Sequence, residues 1–279
     1  MNPKTFFKNI QPPPPDEPID VGVSRHEDDT DRLLCLTLDI GEHMLRNGGE
    51  IHRVEDTMER ICRAYGAAHV DVFVITSLVM AAIRMPDGTY SSQFRRVYGS
   101  SKDLYRLERF NAVSRRMCNE RLSFDEAERL IYEAKRARPY SGLLFFIGSF
   151  LSAGAFAIFF GGSLRDGIAA ALVGLILATV EHFGNKAINR MANTVILSFV
   201  LGILSIVSVY VGIGQDIGYV TIGAIMLLIP GVDFGNAIRD LLCGNLLSGT
   251  LLTVQSLLLA AMIALGYAAS MLVMGGVIA

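Results

Sequence analysis

Apolar positions recur along the chain with several distinct spacings, and each change of spacing marks a change of element. After the acidic residues Asp28, Asp29 and Asp31, with Thr30 placed to cap, Leu33, Leu36, Ile40 and Met44 repeat at steps of three and four. This predicts an amphipathic helix stopped at Gly48-Gly49. Ile51, Val54, Met58, Ile61 and Tyr65 then share one face of a second helix, with Gly66 as its stop signal. The run Val70 to Ile75 is β-branched and aromatic, and a second apolar run from Leu78 meets the turn Pro86-Asp87-Gly88 before Thr89 to Val97. Such runs predict a small antiparallel sheet. Leu104, Leu107, Val113 and Met117 fit a further helix, and Ser123 with Glu126 forms a capping box that opens another through Ala137. The order is ααβββαα, an α+β domain.

From Gly142 the pattern becomes continuously apolar. Gly142 to Phe160 carries no charge, and nineteen residues at ~1.5 Å each nearly cover a hydrocarbon core of ~30 Å. Arg165 and Asp166 mark a short loop, and Gly167 to Val180 continues as a second span. Glu181, His182, Asn185, Lys186 and Arg190 make the next turn, Thr194 to Ile213 is the third span, and Gly214-Gln215-Asp216 is a very short loop. A fourth stretch, Ile217 to Ile229, has only thirteen residues before Pro230-Gly231. That length suggests a helix broken at membrane depth or a thin, tilted crossing. Leu246 to Ile278 crosses once. The expectation is a membrane α-helical bundle of about five transmembrane helices preceded by a small α+β domain: a Pro-rich disordered tail over 1–29, the domain over 30–138 and the bundle over 139–279.

Composition sharpens this division. Mean hydropathy is +0.41 with 19% charged residues, yet residues 1–140 hold 21 of the 25 Lys and Arg and 22 of the 27 Asp and Glu. The second half tolerates lipid and the first does not. Cytoplasmic loops retain Lys and Arg, so Lys135, Arg136, Arg138, Lys186, Arg190 and Arg239, against Arg165 alone on the other side, place the N-terminus in the cytosol and the C-terminus outside an inner membrane. A net charge of −2 gives no basic excess for nucleic acid. Cys35, Cys62, Cys118 and Cys243 form no CxxC pair and read as small apolar helix residues. MNPKTFFKNIQPPPPDEP lacks the apolar core of a signal peptide.

Ionisable groups in the apolar half need a reason, because a charge at the bilayer centre costs ~2.5–3.5 kcal/mol on insertion scales. Glu181 and His182 are candidates for proton coupling, or else lie in the solvated interface. The stretch Pro230-Gly231-Val232-Asp233-Phe234-Gly235-Asn236-Ala237-Ile238-Arg239-Asp240 joins a helix break to acidic, amide and basic groups. In transporters interrupted helices hold substrate. Pro230, Gly231, Asp233, Asn236, Arg239 and Asp240 are therefore the candidate substrate-binding residues, with Arg239 suited to a carboxylate. The alternative is an interfacial turn whose Arg239 and Asp240 face solvent. In the first half, His52, Glu55 and Asp56 lie at helical spacing close enough to share a metal, but a solvated face is favoured. No GxSxG, Walker or GxGxxG pattern occurs, and neither cofactor nor metal is expected. Gly148 with Ser152 and Ser149 with Ala153 are spaced for close helix contact.

Taken together, Leu45-Arg46-Asn47-Gly48-Gly49-Glu50-Ile51-His52-Arg53-Val54-Glu55-Asp56-Thr57-Met58, the strand region Val72 to Ile83, Phe160-Gly161-Gly162, Leu228-Ile229-Pro230-Gly231 running to Arg239-Asp240, and Leu247-Ser248-Gly249 resemble the N-terminal module of the threonine/serine exporter (ThrE) family. The resemblance spans about residues 32 to 275. It implies secondary export of small polar metabolites, threonine and serine in founding members and dicarboxylates such as succinate in related two-component systems. Full-length members add a second, shorter membrane module, which is not found before Ala279, so a separate small membrane subunit or a homo-oligomer is expected. The rival reading from another class is a membrane-anchored enzyme or sensor acting through Glu50, His52 and Glu55.

Overall fold

The computed structural model describes residues 29–99, 102–137, 142–184 and 189–278, with side chains as far as Gly275. The expected Pro-rich tail, Arg138, Asn185 and Lys186 lie outside the described residues.

The first part follows the expected order. α1 (Asp29–Arg46) and α2 (Ile51–Ala64) precede β1 (His69–Ile75), β2 (Leu78–Arg84) and β3 (Tyr90–Arg96), and α3 (Leu104–Glu120) and α4 (Phe124–Arg136) follow. The sheet is an antiparallel meander in the order β1-β2-β3, with Val74 opposite Val79 and Val79 opposite Arg95. Strand side chains alternate between faces. Val74, Val79, Ala81 and Ile83 therefore bury one face, while Phe73, Met80 and Phe94 line up across the other and are exposed.

α1 is the central element and packs on β2, β3 and all three other helices of this part. Leu34, Leu38 and Ile40 of α1 are fully enclosed, together with Met58, Ile61 and Phe110. Each such side chain contributes ~1.5–3 kcal/mol by leaving water. Thr30 does not cap α1. It lies buried within the helix, which already includes Asp29. Ser123 accepts the Glu126 amide at 3.3 Å, but Glu126 turns to Arg116 instead of back to the cap, so only half of the expected box forms.

The second part contains α5 (Gly142–Phe159), α6 (Leu164–Phe183), α7 (Arg190–Tyr210), α8 (Ile217–Ile225), α9 (Gly231–Leu242) and α10 (Leu246–Ile278). Four of these, α5, α6, α7 and α10, are long and apolar enough to cross a membrane. Their outer faces expose large apolar side chains, including Leu151, Phe159, Ile168, Leu257 and Leu272, a surface suited to lipid.

Small residues set the helix contacts. A Cβ on Gly154 would sit 2.9 Å from the Gly167 carbonyl, and one on Gly174 2.6 Å from the Ala153 Cβ, which brings α5 and α6 together. Gly202 lies against Ser270 and Gly266 against the Val195 carbonyl where α7 meets α10. There the Ser198 hydroxyl donates to the Ile263 carbonyl at 2.5 Å. Gly148, expected at a contact, has nothing near it. The other expected pair does make the contact: the Ala153 Cβ and the Ser149 carbonyl lie 2.6 and 3.1 Å from where a Cβ on Gly174 would be, and Ala153, Gly154 and Ala157 form the inward face of α5.

The expected fourth crossing departs from a regular span. α8 is a nine-residue helix, ~14 Å long, packed against α5, α6 and α7. Its N-terminus lies beside that of α6: the Asp166 carboxylate accepts the amides of Gln215 at 2.6 Å and Asp216 at 2.9 Å. Asp166 is also the N3 residue of a complete capping box with Ser163, not simply a loop residue. From there the chain runs through α8 and the turn after it to Pro230, which shares a cavity with Glu181 at the other end of α6.

Candidate functional site

The site begins with two local breaks. At the end of α1 the Gly49 amide donates to the Met44 carbonyl at 2.8 Å and Gly48 to Leu45 at 3.1 Å. Gly48 has φ +93°, a left-handed conformation natural for glycine. This is a Schellman stop. Gly49 is closely packed as well, since a Cβ there would lie 2.8 Å from the Met44 carbonyl and 3.3 Å from Leu107. The chain then restarts as α2 at Ile51, and the Glu50 side chain makes no cap to the α2 amides.

The second break is Pro230. α8 ends at Ile225 and α9 begins at Gly231 with Pro230 as its N-cap, where the missing proline N–H removes no helical hydrogen bond. α9 is the amphipathic helix that carries Asp233, Asn236, Arg239 and Asp240.

These two breaks, distant in sequence, meet. Asn236 Nδ2 donates to the Gly48 carbonyl at 3.4 Å, Arg239 pairs with Glu50, and Asp233 pairs with Lys102 and lies 3.5 Å from Arg190. The polar face of α9 is therefore laid on the α1–α2 junction. A cavity of about 90 Å³ remains between them, lined by Gly48, Gly49 and Ile51 on one side and by Asp233, Asn236 and Asp240 on the other, with Arg190 and Gln255 at its margins.

Asp240 is the exceptional group. It is 1% exposed, and neither carboxylate oxygen has a hydrogen-bond partner among the described residues. Burial pushes its carboxyl up to about 6, with the neighbouring charges of Glu50 and Glu55 adding to the rise and Arg239 and His52 opposing it. An unpaired buried carboxylate is costly unless something cationic or a proton joins it.

The candidate residues thus divide. Asp233, Asn236 and Asp240 face the cavity, and Arg239 lies beside it with its guanidinium already engaged by Glu50, not offered to a ligand. Pro230 and Gly231 line a neighbouring cavity with Glu181, Lys102 and Arg190. His182 lies apart, its ring edge-on to Phe146 at 5.4 Å. The group Glu50, His52 and Glu55 does not converge: Glu50 engages Arg239, Glu55 accepts the Val74 amide at 2.9 Å, and His52 is exposed. Asp56 likewise pairs with Arg60. The α1–α2 junction as one wall of the site, together with Gln255, is absent from the sequence reading. No local spacing signals a contact that joins residues 189 positions apart.

An α+β part seated on an apolar helical bundle, with a polar cleft between them, defines a polytopic membrane protein. The ThrE family profile, that of threonine/serine exporters, matches residues 35–274, and the chain belongs to that family. ThrE is a family of transporters, not of enzymes. No curated protein and no solved structure matches the chain.

Proposed function

We propose that this protein exports a threonine- or serine-type amino acid across the inner membrane, with the α+β domain in the cytosol and the cleft between α2 and α9 as the substrate site. Asp240 carries this reading, because a buried carboxylate without a partner suits the ammonium of an amino acid. The amino acid's carboxylate has two complements close by, the uncapped first-turn amides of α2 and the guanidinium of Arg190. Because burial raises the Asp240 carboxyl to about 6, a proton and an ammonium compete for one group. That competition couples export to an inward proton gradient, with Glu181 as a second acidic group near the break.

α8 and the turn before Pro230 act as the fifth, broken crossing, which puts the C-terminus outside. A second small membrane subunit or a further copy of this chain completes the pathway. A dicarboxylate such as succinate is the alternative substrate, and the unpaired negative charge of Asp240 weighs against it.

The test is threonine counterflow in proteoliposomes containing Asp240→Asn. Loss of threonine exchange at normal protein incorporation supports the proposal, and exchange at the wild-type rate overturns it. Succinate counterflow that persists in Asp240→Asn would instead favour the dicarboxylate reading.

A further inference from the structure

A separate and larger cleft lies wholly within the soluble part. Its volume is about 920 Å³, and it opens between α1, β3, α3 and α4. Five cationic side chains reach it from these four elements: Arg46 from α1, Arg95 from β3, Arg106 from α3, and Lys135 and Arg136 from α4. Three carboxylates oppose them. Arg95 pairs with Asp39 and lies 3.9 Å from Glu42, Lys135 shares Asp39 at 3.1 Å, and Arg106 is 3.4 Å from Asp103. Arg136 donates to the Tyr132 hydroxyl at 3.0 Å, and Arg46 makes no ion pair among the described residues. Two positive charges are therefore left over. His43 adds none at neutral pH, because it is stacked on Phe110 with centroids 4.9 Å apart and burial lowers it to about 4.

Converging like charges are tolerated in a partly desolvated cleft when a counter-charge is bound there. Guanidinium forks approaching from several directions match a tetrahedral group better than a planar one, which presents a single edge. The volume is that of a metabolite site and is far larger than the cavity at Asp240.

We infer that this cleft binds a multivalent anion of the phosphate class, held by Arg46, Arg95, Arg106, Lys135 and Arg136. The site does not depend on what the chain transports. It is nevertheless next to the transport cleft: Asn47 lines the anion cleft, and the following Gly48 accepts Asn236 of α9. Two sources supply such chemistry, a soluble phosphate compound or an acidic lipid headgroup, since Arg136 lies only a few residues before α5.

The experiment is calorimetric titration of the full-length protein with inorganic pyrophosphate in nanodiscs of neutral lipid. The expected result is one saturable site per chain, weakened about tenfold or more in Arg46→Gln and Arg136→Gln and unchanged in Arg115→Gln, which lies outside the cleft. Arg136 is exposed and Arg46 half-buried, and unaltered thermal unfolding of the variants would show that the fold is retained. Repeating the titration with phosphatidylglycerol in the nanodisc separates the sources: weakened pyrophosphate binding assigns the site to headgroups, and undiminished binding assigns it to a soluble anion. Absence of saturable binding, or binding indifferent to Arg46→Gln and Arg136→Gln, would overturn the inference.

Discussion

Glu50, at the start of α2, and Arg239, on the last full turn of α9, form an ion pair across 189 residues of chain. It ties the α+β part to the bundle beside the buried carboxylate of Asp240. Arg239 is 60% exposed, so water screens the pair and its contribution to stability is small. Its weight lies in where it holds α9.

Glu50→Lys or Arg239→Glu alone is therefore expected to lower threonine export strongly while changing stability little. The double exchange restores the pair and should recover much of the activity. Efflux assays on the two single variants and the double variant, at matched protein levels, check this.

Asp240→Asn is expected to stabilise the folded protein at pH 7. The carboxyl stands at about 6 in the fold against an ordinary 3.8, so the folded state binds more protons between those values and loses stability as pH rises through them. The accumulated cost is ~3 kcal/mol above that window and vanishes below it. Thermal unfolding in detergent should show a higher midpoint for Asp240→Asn at pH 7 and a shrinking difference towards pH 4.

His43 responds to pH in the opposite sense. Burial, reinforced by Lys135, lowers it from 6.5 to about 4, so the folded state binds fewer protons in that interval and stability falls as pH drops through it. The loss approaches ~3 kcal/mol at the acid end. His43→Phe keeps a ring against Phe110 and removes the titration. Its unfolding midpoint should fall less steeply than that of the wild type between pH 6.5 and 4.

Gly49 and Gly231 stand at the two breaks but differ in surroundings. A methyl group at Gly49 collides with the Met44 carbonyl and presses on Leu107, whereas one at Gly231 meets nothing within 4 Å. Gly49→Ala is expected to cost ~1–3 kcal/mol and to disturb the α9 contact. Gly231→Ala should leave stability and export near wild type. Denaturation midpoints with counterflow on both variants test the contrast.

Much of the fold is legible because its signals are local. The steps of three and four in α1 and α2, the turn at Pro86-Asp87-Gly88 and the charge-free stretch from Gly142 each report on a few neighbouring residues. The helix break at Pro230-Gly231 is local too. Helix rotation is not: Gly148 and Gly154 look alike in sequence, and only the position of α6 decides that Gly154 faces inward. Asp166 could have been found from Ser163-x-x-Asp166, a capping-box spacing. The meeting of Gly48 and Glu50 with Asn236 and Arg239 depends on tertiary packing, as does the convergence of cations from positions 46, 95, 106, 135 and 136.

The brevity of α8 bears on how the backbone crosses the bundle. Beside its nine residues only ~14 Å of regular helix separates the Asp166 end of the bundle from the turn that leads to Pro230, where a full span would interpose ~30 Å of hydrocarbon. Because α6 beside it has twenty residues, the turn at 226–230 has to cover the depth that α8 leaves, with tight hydrogen bonds from Leu227 to Ala224 and from Leu228 to Ile225 in place of a regular helical ladder.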